Sequence, residues 1–233
     1  MDYSSLINRL SILVETGASV REVEAALSAI RFDLSTLFSN VLNDHETLEH
    51  IQRESFLHEP DFDRFVIRHD RTLLWRLRLN VWWPKRAAKL RATVKIHNHT
   101  WDHASLVLAG TLSNHFYAPA AGAQLYHYHA TSRGTPQEHF DLIGRSAVTD
   151  MGFITRSRGE TYHQSHAQFH QIKPLTDFLA TLCFHNPPQH DTTHLFTDTP
   201  EKDSPIAYFQ KPDVHEVRRS LERAVRRIQN DAQ

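Results

Sequence analysis

Trp75-Arg76-Leu77-Arg78-Leu79-Asn80-Val81 alternates apolar and polar side chains without a break. Successive side chains of a strand point to opposite faces, so this stretch predicts a β-strand that buries Trp75, Leu77, Leu79 and Val81 on one side. Upstream the period is different. Ser19-x-x-Glu22 has capping-box spacing ahead of Val20, Val23, Ala26 and Leu27, and Asp33 marks a second helix start, so residues 1–57 read as a helical cap. Downstream, strand-like runs at 91–99, 103–109, 112–117, 124–129, 151–155, 160–172 and 177–185 are separated by Gly, Pro or polar punctuation such as Gly110, Pro119-Ala120-Ala121-Gly122, Gly134 and Gly144. This rhythm predicts an all-β core, sandwich or barrel, over residues 60–200. A second capping box, Asp213-x-x-Glu216, opens a terminal helix over 213–230. Its apolar stripe is Val214, Val217, Leu221, Val225 and Ile228, and its arginines, Arg218, Arg219, Arg223, Arg226 and Arg227, read as a solvated face, with binding of an anionic partner as the alternative.

At 233 residues the chain is expected to form one domain. Its 26 basic and 27 acidic residues balance, which points to neither nucleic acid nor a membrane as partner. Met1-Asp2-Tyr3-Ser4-Ser5 lacks the basic start and apolar core of a secretory signal, so a cytoplasmic protein is expected. The single cysteine, Cys183, excludes an intrachain disulfide and a thiolate cage, and it reads as a buried, inert thiol. Any metal must then be held by nitrogen or oxygen, and there are 18 histidines to supply it.

In Lys95-Ile96-His97-Asn98-His99 the two imidazoles lie two residues apart and share one strand face. Such a pair alone is weak evidence of a metal. The segment His97-x-His99-x3-His103-x6-Gly110 resembles the first cupin motif, with His103 in the usual glutamate slot. Gly159-x5-Ser165-x-Ala167-x2-His170 is similar to the second, with His170 on the remaining ligand position. The chain further resembles the cysteine dioxygenase-like (thiol dioxygenase) branch of cupins. His97-Asn98-His99-Thr100 looks like that branch's His-Asp-His-Thr, and Tyr162-x7-His170 keeps its spacing. Pro187-Pro188-Gln189-His190-Asp191-Thr192-Thr193-His194-Leu195-Phe196 looks like its Pro-Pro-x-Asp-Thr-Cys-His-x-Phe with one inserted residue.

The resemblance implies a cupin, a jelly-roll type β-barrel, with the helical cap and terminal helix as supports. It implies a mononuclear non-haem Fe(II) dioxygenase whose ion sits on His97, His99 and His170, with the opposite face open to a small-molecule substrate and O2. Imidazole suits iron, copper, nickel or zinc, and family analogy selects iron. Barrel cupins often dimerise, which leaves a homodimer open.

The chain departs from the branch where relatives place a cysteine or glycine and a tyrosine facing the metal, here His103 and His185, so no cysteine–tyrosine crosslink can form. His103 reads as a fourth ligand, as a histidine behind the ligands or facing substrate, or as an uninvolved polar residue. Arg68 falls where the family holds a substrate carboxylate, with Arg71, Arg76 and Arg78 as competitors and a surface arginine as the plainer reading. Tyr162 reads either as a pocket residue or as a packed aromatic. His115, His127, His129, His163 and His166 read as solvated strand histidines. Thiol oxidation to a sulfinate is the default function. A different oxidation of a non-thiol molecule and a non-catalytic metal-binding cupin are the alternatives.

Overall fold

The computed structural model describes residues 3–29, 34–55, 62–84, 94–131, 139–200 and 212–231. Helices α1 (Tyr3–Glu15), α2 (Val20–Ser28), α3 (Leu34–Asn43) and α4 (His45–Glu54) come first. Ser19 and Glu22 form the reciprocal capping box that opens α2, and the Asp44 side chain caps α4. Asp33 and Gly134 lie outside the described residues.

The strands follow as β1 (Asp63–His69), β2 (Arg76–Trp82), β3 (Lys95–His97), β4 (His103–Ala109), β5 (Thr111–Thr131), β6 (His139–Ser157), β7 (Thr161–Gln164), β8 (Phe169–Pro174), β9 (Leu179–His185) and β10 (Thr192–Thr197). Their pairing is nested: β5 with β6, β4 with β7, β3 with β8 and β2 with β9, all antiparallel. A long hairpin folded over itself in this way is a jelly roll, and it divides the strands into two sheets, β1-β2-β9-β4-β7 and β10-β3-β8-β5-β6. The all-β jelly-roll core expected from the sequence is therefore present, with helices at both ends of the chain.

Alternation then assigns the faces of the first sheet. Leu77, Leu79 and Val81 of β2, Ala104, Leu106 and Leu108 of β4, and Ala180, Leu182 and Phe184 of β9 pack outward in one core with α1–α4 and the terminal helix α5 (Val214–Asn230). The inward face carries Trp82, Val107, Tyr162 and Leu179, which close one end of the barrel with Leu112 of the second sheet. Toward the other end the inward positions turn polar, with His103 opposite His185 and Ser105 opposite Cys183. The α5 stripe of Val217, Leu221, Val225 and Ile228 is buried. Two of its arginines are not merely solvated, because Arg223 lies over Trp83 and Arg227 over Phe178, at 4.3 and 5.6 Å. No described helix is long and apolar enough to cross a membrane.

Several strand limits differ from the sequence expectation. The runs at 112–117 and 124–129 are one strand, β5, in which Pro119 and Ala123 both stand opposite Val148. Pro119–Gly122 is thus a bulge, which absorbs the missing proline N–H without ending the ladder. The run 160–172 is two strands, β7 and β8, that enter different sheets. Strand β10 was not expected at all, since its polar sequence hides its pairing with β3 and β5.

Gly110 joins β4 to β5 with φ +73, and a Cβ there would run into the Phe178 carbonyl and the Thr176 hydroxyl. Gly159 also has positive φ but open space around it. Gly110→Ala is expected to cost about 3 kcal/mol in urea unfolding, from left-handed strain plus overlap, and Gly159→Ala only about 1 kcal/mol from strain alone. Equal losses would show that the close approach at Gly110 does not matter.

Candidate metal centre

His97 stands opposite His170 across the β3–β8 ladder, and His99 follows two residues beyond His97. The result is a cluster in which one ring nitrogen from each of the three lies within 4.8 Å of the others. His99 Nε2 and His170 Nε2 are 2.9 Å apart. The far nitrogens of His97 and His170 are turned away and held. His97 Nδ1 donates to the Lys95 carbonyl at 3.3 Å, and His170 Nδ1 donates to Asn114 Oδ1 at 2.8 Å.

Asn114 is itself fixed, because its amide donates to Gln164 Oε1 at 3.0 Å and the Gln164 amide donates to the Gln168 carbonyl at 3.2 Å. This buried relay keeps the His170 proton on Nδ1 and leaves Nε2 as a lone pair aimed at the cluster. Two imidazole nitrogens at 2.9 Å need a proton or a cation between them. A divalent ion suits the same donor set.

Burial, followed by the neighbouring imidazoles, holds the protonation of His99 and His170 well below the ordinary histidine range, although the His99 ring is only part-buried by area. Neutral imidazole is the form that binds metal. His103 is pushed down to about 3 and His185 well below its usual value, again chiefly by burial, with the Arg78 charge contributing to both.

His103 flanks the triad, its ring 4.9 Å from His99 and 6.0 Å from His170, without joining the close-spaced nitrogens. His185 pairs with it across β4 and β9, ring to ring at 5.9 Å. Trp101 lies between His99 and His185, stacked on each at 5.7 and 4.7 Å. Among the described residues, His103 Nδ1, His185 Nδ1 and Trp101 Nε1 are buried with no hydrogen-bond partner. Three orphaned polar atoms around one cluster mark a place built for something further to bind.

Tyr162 is buried on the inward face opposite Ser105, edge-on to His103 at 6.2 Å. Burial raises its phenol well above the usual range, and it stays protonated. Cys183, also opposite Ser105, is pushed up to about 11 by burial, in line with an inert thiol.

The structure does not bring Arg68 to the histidines. A register shift between Val66 and Arg68 sets Arg68 opposite Leu77, on the face that packs against the helices, where it is exposed. Its charge is felt by Tyr3 and His50 of the helical cap. Arg78 is buried on the inward face of β2, with its guanidinium 5.2 Å from the Trp101 ring, and the charges of Arg64 and Arg76 also act on His185. Trp101 had a legible signal, since it shares parity with His99 and His103; Asn114 and Gln164 had none.

Of the five histidines read as solvated, His163 bonds Glu24 of α2 at 2.6 Å and His166 bonds Asp102 at 2.7 Å. His115 stacks on Phe153 at 4.9 Å. His127 and His129 do not stand alone: with His194 they form a second cluster of the same spacing.

A histidine kept neutral by burial refuses a proton that the unfolded chain accepts, so stability declines as pH falls from about 6.5 toward the folded value. For His103 that window runs down to about 3. In chelator-treated protein, urea midpoints should fall steadily from pH 6 to pH 4. His103→Gln should make the slope shallower by up to one proton, about 1.4 kcal/mol per pH unit. An unchanged slope would show that His103 is protonated in the fold.

No protein-family model and no curated protein matches the sequence. Among solved structures, the chain is similar to a chain of the DMSP lyases RdDddP and RnDddQII at 16% identity and TM-score 0.33, over 56% of this chain and about half (51%) of that one. It is similar to ectoine synthase from P. lautus at 11% identity and TM-score 0.35, over 67% and 93%. It is also similar to hydroquinone 1,2-dioxygenase PnpCD in complex with Cd2+ and 4-hydroxybenzonitrile, at 11% identity and TM-score 0.34, over 60% and 70%. All three scores are low, and the jelly-roll assignment rests on this chain's own strand pairing.

Proposed function

We propose that the chain is a mononuclear non-haem Fe(II) dioxygenase of the thiol dioxygenase-like kind, adding both atoms of O2 to a small substrate. For a thiolate the balance is RS⁻ + O2 → RSO2⁻, with no further reductant. The observation that carries this reading is the triad of His97, His99 and His170 beside the unpartnered polar atoms of His103, His185 and Trp101. The three triad histidines would hold the ion, which would supply Lewis acidity and a one-electron redox couple for the reaction with O2.

The chain's own residues do the rest. The Asn114–Gln164 relay keeps the His170 ring in its binding tautomer. Arg78 places a buried positive charge behind Trp101, suited to an anionic substrate group, and its planar fork matches a carboxylate. His103 and His185 are neutral and can donate or accept one hydrogen bond each at Nδ1, orienting the reacting molecules where relatives use other side chains. Tyr162 packs edge-on against His103. Because imidazoles stand in both of these positions, oxidation of a non-thiol small molecule at the same centre is the second reading.

The test is O2 uptake by the Fe(II)-loaded chain with a panel of small thiols bearing carboxylates. One sulfinate per O2 consumed supports the first reading. Uptake with non-thiols only moves the assignment to the second, and no uptake with full iron loading refutes both.

Alanine at His97, His99 or His170 should remove most bound iron, while His103→Ala and His185→Ala should keep it and turn over roughly 10²–10⁴-fold more slowly. Arg78→Lys should raise KM by about 10-fold or more, and Arg68→Lys should leave it unchanged. Iron retained in all three triad variants, or a KM effect confined to Arg68, would overturn these roles.

A further inference from the structure

The second histidine cluster lies on the opposite side of the sheet from the first. Leu195 of β10 stands across from His97, so its neighbour His194 points the other way, out of the barrel. His194 pairs with His129 of β5, and Phe196 pairs with His127, which puts all three imidazoles on one outer face. One ring nitrogen from each lies within 4.8 Å of the other two.

The arrangement repeats the features of the barrel cluster. His127 Nε2 and His194 Nδ1 are 2.9 Å apart, as close as the His99–His170 pair. The far nitrogen of His127, Nδ1, bonds Ser146 Oγ of β6 at 3.0 Å, so a proton held there leaves Nε2 as a lone pair. The rings are ordered by apolar packing. Phe196 stacks on His127 at 4.4 Å, and Phe169 meets His194 edge-on at 5.9 Å. All three histidines are part-buried, so an ion held by them keeps a side open to solvent.

We propose that His127, His129 and His194 form a second transition-metal site, outside the barrel, taking a borderline divalent ion such as zinc on three imidazole nitrogens with water in the remaining position. The donor set is all nitrogen, which suits Zn(II), Cu(II) or Ni(II) and not Ca(II) or Mg(II). A tetrahedral zinc with bonds of about 2.0–2.1 Å spaces its nitrogens roughly 3.3 Å apart, so small ring rotations convert the present contact into a coordination shell. The site stands independently of the reading given to the barrel cluster.

The experiment is zinc stoichiometry of the full chain by equilibrium dialysis, with folding checked by circular dichroism. The wild type should bind two equivalents. His127→Ala/His194→Ala should bind one, and His97→Ala/His99→Ala should also bind one. Ser146→Ala, a small surface change, should weaken the outer equivalent by about 10-fold in competition with a zinc indicator. A folded His127→Ala/His194→Ala variant that still binds as much zinc as the wild type would overturn the proposal. So would a wild type whose only equivalent is lost with His97 and His99. Zinc lost from the outer variant and retained by the His97→Ala/His99→Ala variant would leave this site standing and remove the barrel one.

Discussion

His97 stands directly across from His170 in the β3–β8 ladder, and the chemistry open to the barrel cluster depends on that register. A slip of one residue would turn either imidazole to the other face of its sheet. Two neighbouring contacts hold the register. Asn98, between the two histidines of β3 and its end, accepts the His194 amide proton on Oδ1 at 2.7 Å and so clasps β10. On the other flank Asn114 of β5 holds His170 of β8.

The same alternation spends every face. In the first sheet, odd-numbered apolar residues of β2 go to the helices, while Arg78 on the even positions goes to the barrel. Arg68 shows what one irregularity does. A bulge in β1 moves it onto the helical face although its strand lies beside Arg78. In the second sheet the inner face gathers His97, His99 and His170, and the outer face gathers His127, His129 and His194.

The sequence made legible whatever depends on local period or on a short motif. The buried face of β2, the caps of α2 and α5 and the turn at Gly110 all lie within a few residues of the signal that announces them. His97, His99 and His170 could be grouped only through the cupin resemblance, because pairing over such distances leaves no local trace. Asn114 and Gln164 were silent for the same reason, since an ordinary amide becomes a relay only once β5, β7 and β8 meet. The outer triad was hidden by β10, whose Thr-Thr-His start lacks the apolar run that marks a buried strand.

Nested pairing also has a kinetic meaning. His99 and His170 are 71 residues apart, and in a jelly roll such partners meet only after the inner hairpins have formed or while the whole chain closes. Loop closure over this length is slow relative to local helix formation, so the helices of the cap are expected to form well before the histidines converge. An ion that binds only the converged cluster stabilises the last stage of assembly and none of the earlier ones, and its capture then serves as a clock for the completion of folding.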